Sequence, residues 1–257
     1  MSALGQLFFV VVAAFLVMNA AYFIGRSIKQ PALVDVAWSY GMGLAAMLLA
    51  VLGTGAPWRR LLVAVLAGFW SIRLGTYLLR NRVLRGGEDG RYLALMAQWG
   101  NRAPLRFFYF HQAQAAAIVL LALPFYPIAS DPESSVRVWD VVALVVWLVA
   151  VLGESWADSQ LSRWRADPSN QGKTCTHGFW RYSRHPNYFF EWMHWWTYVL
   201  LGMGAPGFWL TWLGPVLMFA FLYRITGIPH AEAQALRKRG EEYARYQRTT
   251  SAFFPWF

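Results

Sequence analysis

Leu4-Gly5-Gln6-Leu7-Phe8-Phe9-Val10-Val11-Val12-Ala13-Ala14-Phe15-Leu16-Val17-Met18-Asn19-Ala20-Ala21-Tyr22-Phe23-Ile24 carries no charge from end to end. A run of roughly twenty such residues is what a helix needs to cross the hydrocarbon core of a bilayer. No positive segment precedes it, no small-residue cleavage site follows, and it outlasts the apolar core of a secretion signal. It therefore reads as a retained transmembrane helix. Working outward, comparable stretches recur at 33–53, 60–80, 105–128, 137–157, 187–204 and 207–224. With the first at 4–25, the pattern predicts an all-α, seven-span membrane bundle. No internal repeat, low-complexity tract or long linker interrupts it, so residues 1–257 are expected to form one domain.

Composition agrees with this. Apolar residues make up 57% of the chain and charged residues 14%, whereas soluble domains carry about a quarter charged. Aromatics reach 18%, including 15 Trp, a residue suited to the membrane–water interface. The lone Cys175 excludes an internal disulfide and a cysteine-based metal cluster. A net charge of +10 raises the question of nucleic acid, but the basic residues are dispersed among short loops between apolar spans, which ranks that partner low.

The same basic residues give the orientation. The side reached after the odd-numbered spans takes Arg26, Lys29, Arg80, Arg82, Arg85, Arg91, Arg102, Arg106, Arg163, Arg165, Lys173, Arg181, Arg184, Arg224 and the cations of the tail, while the other side takes Arg59, Arg60 and Arg137. The N-terminus is therefore expected outside and the C-terminus in the cytosol. The charged stretch Ala231 to Gln247 is expected to form a surface helix.

Ionisable residues at membrane depth cost about 2.5–3.5 kcal/mol each and need a partner or a role. Arg73, Tyr77 and Asn81 follow one another at four-residue spacing, on one stripe of a helix. Arg73 either snorkels to the headgroups or turns a polar face into the bundle. Asp35 stands at the start of the second span, as an interfacial cap or a buried acid. Glu154 and Asp158 share a face, with Arg165 two turns beyond. Glu191 lies among Phe189, Phe190, Trp192, Trp195 and Trp196, as a structural ion pair or a functional carboxylate.

The densest motif is Gly178-Phe179-Trp180-Arg181-Tyr182-Ser183-Arg184-His185-Pro186-Asn187-Tyr188-Phe189-Phe190-Glu191. Pro186 favours an extended residue before it and fits the first helical turn. The segment thus delivers Arg184 and His185 to a helix start, where unpaired N–H groups and a positive dipole end suit a phosphate or an anionic lipid. No GxGxxG or GxxxxGK[ST] pattern occurs, so the familiar soluble nucleotide folds are not available. His185 has no companion at metal-ligand spacing, and no metal is expected.

These residues resemble a known family. Arg184-His185-Pro186-Asn187-Tyr188 with Glu191, the Gly-Glu-Asp-x-Arg-Tyr run at 87–92, and the terminal Thr-Ser-Ala-Phe-Phe-Pro-Trp-Phe look like the bacterial membrane reductases of the steroid 5-alpha-reductase superfamily. Isoprenylcysteine carboxyl methyltransferases carry a similar Arg-His-Pro-x-Tyr segment and bind S-adenosylmethionine there. Asn187, Glu191 and Trp195, then Arg73, Tyr77 and Asn81, then Asp158 and Arg165 match spacings of the reductases. The resemblance implies that these residues, with Arg82, Arg91, Lys173, Arg184, His185 and Tyr188, hold NADPH, Asn187 and Glu191 serving its nicotinamide end. Lys173 stands where the family has a phosphate-binding Arg.

The early Gln-Glu pair that grips a steroid ketone in the animal enzymes is replaced here by a region offering Asp35 and Tyr40, and Trp70 occupies the position of their Tyr. A different enone lipid is therefore compatible with the site. The implied reaction is NADPH-dependent reduction of the C=C bond of an α,β-unsaturated lipid ketone in the bacterial inner membrane, with Asp35 or Tyr40 as proton donor and Glu191 beside the nicotinamide. The rival readings are a methyltransferase using S-adenosylmethionine and a non-catalytic scaffold that binds membrane lipids.

Overall fold

The computed structural model describes residues 1–84 and 90–255, apart from the side chain of Arg91. Every regular element among them is helical. The order is α1 (Ala3–Ser27), α2 (Leu33–Leu52), α3 (Pro57–Leu78), α4 (Gly90–Trp99), α5 (Ala103–Ala122), α6 (Phe125–Ser130), α7 (Val138–Ala166), α8 (Pro186–Leu201), α9 (Leu213–Ala220), α10 (Ile228–Arg239) and α11 (Glu241–Thr249). Among the described residues, five helical stretches are long and apolar enough to cross a membrane: Ala3–Ser27, Leu33–Leu52, Pro57–Leu84, Val138–Ala166 and Phe208–Arg239. Large apolar side chains stand exposed along them, among them Leu4, Leu16, Ile72 and Leu152. A water-facing surface would not sustain that pattern, but a lipid-facing one requires it.

Three differences from the sequence expectation have physical causes. The stretch expected at 105–128 is divided into α5 and α6 at Leu123-Pro124, since Pro124 cannot donate to the helix ladder. α7 runs well past the apolar segment, to Ala166, and carries Asp158 and Arg165 on regular helix. The tail forms two helices, because Gly240 adopts φ 53° and ends the first of them.

The chain divides into two compact units, Met1–Ser135 with Gly202–Leu213, and Val136–Leu201 with Gly214–Phe257. In the first, α2 packs on α1, α3 and α5. Contact with α3 depends on small residues. A Cβ on Gly43 would lie 2.3 Å from Ser71 Oγ, and one on Gly75 would lie 2.8 Å from the Tyr40 ring. Close approach lets Ser71 Oγ donate to the Ser39 carbonyl at 2.7 Å, a contact that spares a buried hydroxyl from going unmet. At the far end of this unit Arg59 is wholly buried against Asp131, 3.3 Å away and 2% exposed. Its Nε donates to the Glu133 carbonyl at 3.0 Å, and the guanidinium lies 4.3 Å from the Trp58 ring centre.

In the second unit α7 and α8 form the core pair. Gly153 admits the Phe190 ring, which would lie 2.4 Å from a Cβ there. Trp180 Nε1 donates to the Ala157 carbonyl at 3.0 Å and fastens the 167–185 loop to α7. The end of the chain returns to α8 and α9, where Phe253 lies among Phe189, Trp192 and Phe219. Edge-to-face contacts among these rings hold the segment in place.

Removing one partner of a buried ion pair strands the other. Asp131→Ala is expected to destabilise the protein by roughly 3–5 kcal/mol, seen as a large drop in the thermal unfolding temperature in detergent. Substitution of the exposed Glu241, whose partner Arg248 is also exposed, should leave that temperature nearly unchanged.

Candidate functional site

The residues singled out by sequence fall in both units and are taken unit by unit. In the first, Arg73 and Tyr77 are half-buried on α3. Beyond Leu78 the helix widens into a π turn, Leu79–Leu84, a feature frequent at functional sites. Asn81 sits in that turn and its Nδ2 donates to the Tyr77 carbonyl at 2.8 Å, occupying a carbonyl that the wider turn would otherwise open. Arg82 does not project from the stripe toward solvent. It pairs with Asp35, which also accepts from the Tyr92 hydroxyl at 2.8 Å. Asp35 therefore joins α2, the π turn and α4. Tyr40, on α2, shares a hydrogen bond of 3.1 Å with the Thr76 hydroxyl. Of the Gly-Glu-Asp-x-Arg-Tyr run, residues 87–89 and the side chain of Arg91 lie outside the described residues.

In the second unit the structure gathers Asp158, Asn187, Glu191 and Trp195 along the α7–α8 seam. Pro186 starts α8, so Asn187, Glu191 and Trp195 fall on one face at successive turns. Asn187 Nδ2 donates to Asp158 Oδ1 at 3.1 Å, and Trp195 Nε1 donates to Glu191 Oε1 at 3.2 Å. Glu191 is 7% exposed and Asp158 5%, and Glu154 and His194 are buried in the same unit. A carboxylate so placed is stable only with donors around it. Arg165 and Lys173, beyond the seam, are exposed.

Arg184 and His185 have a different environment. Arg184 Nε donates to Glu232 Oε1 at 2.6 Å, and Nη1 donates to the carbonyls of Gln247, at 2.9 Å, and Thr250. His185 Nε2 is 3.2 Å from the same Glu232 oxygen, and its ring stacks on Tyr188 at 5.2 Å. Gln247 Nε2 donates to the other oxygen of Glu232 at 2.7 Å. The motif loop is thus clamped to α10 and α11 around one acid. Tyr246 reinforces the clamp, its hydroxyl donating to the Trp180 carbonyl, and burial pushes that hydroxyl's pKa up. Burial likewise lowers the His185 pKa, more than the hydrogen bond and charge of Glu232 raise it.

A family model described as "Protein of unknown function (DUF1295)" matches residues 21–250. The chain belongs to the DUF1295 family. That family is related to steroid 5-alpha-reductase-like membrane proteins. The chain is 30% identical over 234 residues to the uncharacterized protein C594.04c of Schizosaccharomyces pombe, an alignment covering 79% of this chain and 66% of that protein. No solved structure matches it. The DUF1295 match takes in both units, from α1 to the Arg184 motif and the Glu232 clamp.

Sequence reasoning missed Glu232, Tyr246 and Tyr92. For Glu232 a signal was present: Ile228, Glu232 and Ala235 recur at helical spacing, and Ile228 and Ala235 are buried, so the acid had to face inward. Nothing local in this DUF1295 chain tied it to Arg184, 48 residues away.

Glu232→Ala should cost roughly 1.5–3 kcal/mol, the range for hydrogen bonds to charged groups, read as a lower unfolding temperature. The lowered His185 pKa has a definite sign as well. The folded state keeps this imidazole neutral below 6.5, its ordinary value, so stability should be level above about pH 6.5 and fall as pH drops below it. His185→Gln should flatten that fall in a thermal-unfolding series from pH 8 to pH 5.

Proposed function

We propose that this protein is an NADPH-dependent membrane reductase that adds a hydride to the C=C bond of an α,β-unsaturated lipid ketone of the 3-oxo-4-ene steroid type. The observation that carries the reading is the buried seam of Asn187 and Glu191 on α8 with Asp158 on α7. Polar groups at such depth in an apolar bundle mark a ligand pathway more often than a structural accident. A nicotinamide carboxamide presents an N–H2 and a carbonyl, and a carboxylate with an adjacent side-chain amide is the complementary set. Beyond the seam, exposed Arg165 and Lys173 are suited to phosphates. Arg184 and Arg82, engaged with Glu232 and Asp35, act in this reading as positioning residues that hold the motif loop and the π turn. Bound NADPH would supply the hydride.

The reading keeps Asp35 and Tyr40 as its candidate proton donors, Asp35 accepting from Arg82 and Tyr92 and Tyr40 sharing a hydrogen bond with Thr76. It also takes α5–α6 and α8 with the residues after it as further spans, seven in all. The N-terminus lies outside and the C-terminus in the cytosol of a bacterial inner membrane, on the strength of the Lys and Arg asymmetry.

Thermal unfolding of the full chain in detergent with NADPH, NADH or S-adenosylmethionine tests this reading. A ligand at 100 times its Kd stabilises by about 2.7 kcal/mol. NADPH alone should raise the unfolding temperature, and Glu191→Gln and Lys173→Ala should each diminish the rise. A shift with S-adenosylmethionine alone would point to a methyltransferase, and no shift with any of them to a non-catalytic lipid-binding protein. Either result overturns the reading.

A further inference from the structure

The first unit holds a half-open cavity of about 300 Å³ where α1 ends, between α1, α4 and α5. Tyr22, Met96, Phe107 and His111 line its interior, and the cations Arg26 and Lys29 stand among its lining residues. Neither Asp35 nor Tyr40 borders it. The volume is at the lower end for small-molecule sites, which pair an apolar lining with a few polar groups.

The end of α1 shows what those polar groups are for. Gln30 N–H donates to the Gly25 carbonyl at 2.8 Å, and Lys29 N–H to the Arg26 carbonyl at 3.4 Å. That is the paired bonding of a Schellman cap, and it places Lys29 in the left-handed region, at φ 56°. Lys29 is the one non-glycine with positive φ among the described residues. Glycine is the usual occupant of this position because a Cβ there is strained. A lysine that is tolerated despite the strain points to a task for its side chain. Arg26 is held beside it: its Nη1 donates to the Tyr22 hydroxyl at 3.3 Å, and that hydroxyl donates to the Pro104 carbonyl at 3.1 Å. The cap occupies the Gly25 and Arg26 carbonyls, so these two are not presented to an incoming anion. α1 is long and apolar enough to span a bilayer, which sets the two cations at headgroup level.

We propose that this cavity binds a single-chain amphiphile, its hydrocarbon chain among Tyr22, Met96 and Phe107 and its anionic head on Arg26 and Lys29. This site is independent of the dinucleotide reading, since none of its residues belongs to the α7–α8 seam.

Calorimetric titration of the full chain in a maltoside detergent provides the test, with dodecyl phosphate, dodecanol and inorganic phosphate as probes. Dodecyl phosphate should bind at least about tenfold more tightly than dodecanol, and inorganic phosphate should give no measurable binding. Lys29→Gly relieves the left-handed strain, so its unfolding temperature should equal or exceed the wild-type value while most of the preference for dodecyl phosphate disappears. Equal affinity for the two amphiphiles would overturn the proposal, as would a preference unchanged in folded Lys29→Gly. Binding of inorganic phosphate as tight as that of dodecyl phosphate would replace the amphiphile site by a free-anion site.

Discussion

A carboxylate drawn into an apolar bundle loses its water, and the loss must be offset by donors fixed in place. The organisation of this protein follows from that requirement. Asp35 is met by Arg82 and Tyr92, Asp131 by Arg59, Asp158 by Asn187, and Glu191 by Trp195. Each match joins separate elements or successive turns of one helix, so electrostatic satisfaction and tertiary assembly are the same event. The Glu232 node extends the principle to the end of the chain, where one acid gathers Arg184, His185 and Gln247. Without it Arg184 and His185 would lose their shared partner on α10.

Small residues supply the room for these pairings. Gly43 and Gly75 bring α2 against α3 so that Ser71 and Tyr40 can lie between them, and Gly153 does the same for Phe190 on α7. In lipid, where apolar surface gains nothing by leaving one apolar medium for another, such close packing and the polar contacts it permits carry helix association. The aromatic end of the chain, centred on Phe253, adds a well-filled seat beside α8 and α9.

Much of the fold was legible in the sequence because apolar runs of spanning length have few alternatives. The helix breaks were less so. Pro124 divides an apolar stretch that hydropathy alone joins, and α7 continues beyond its apolar segment because Gln160 and the Ala157 carbonyl are met by the loop at Phe179 and Trp180, partners far along the chain. The four-residue period of Asn187, Glu191 and Trp195 puts them on one face of α8, where Asn187 meets Asp158 of α7. Partners of Arg82 and Arg184 were not legible. A loop arginine looks alike in sequence whether or not it holds a distant carboxylate such as Asp35 or Glu232.

Glu191 and Asn187 remain the residues on which the functional account turns, and a direct view of the cofactor is the measurement that bears on it most. An electron cryo-microscopy map of the protein saturated with NADPH should show nicotinamide density against Asn187 and Glu191, with phosphate density near Arg165 and Lys173. Density confined to another place, or a map indistinguishable from one recorded without NADPH at a concentration that saturates binding, would contradict the account.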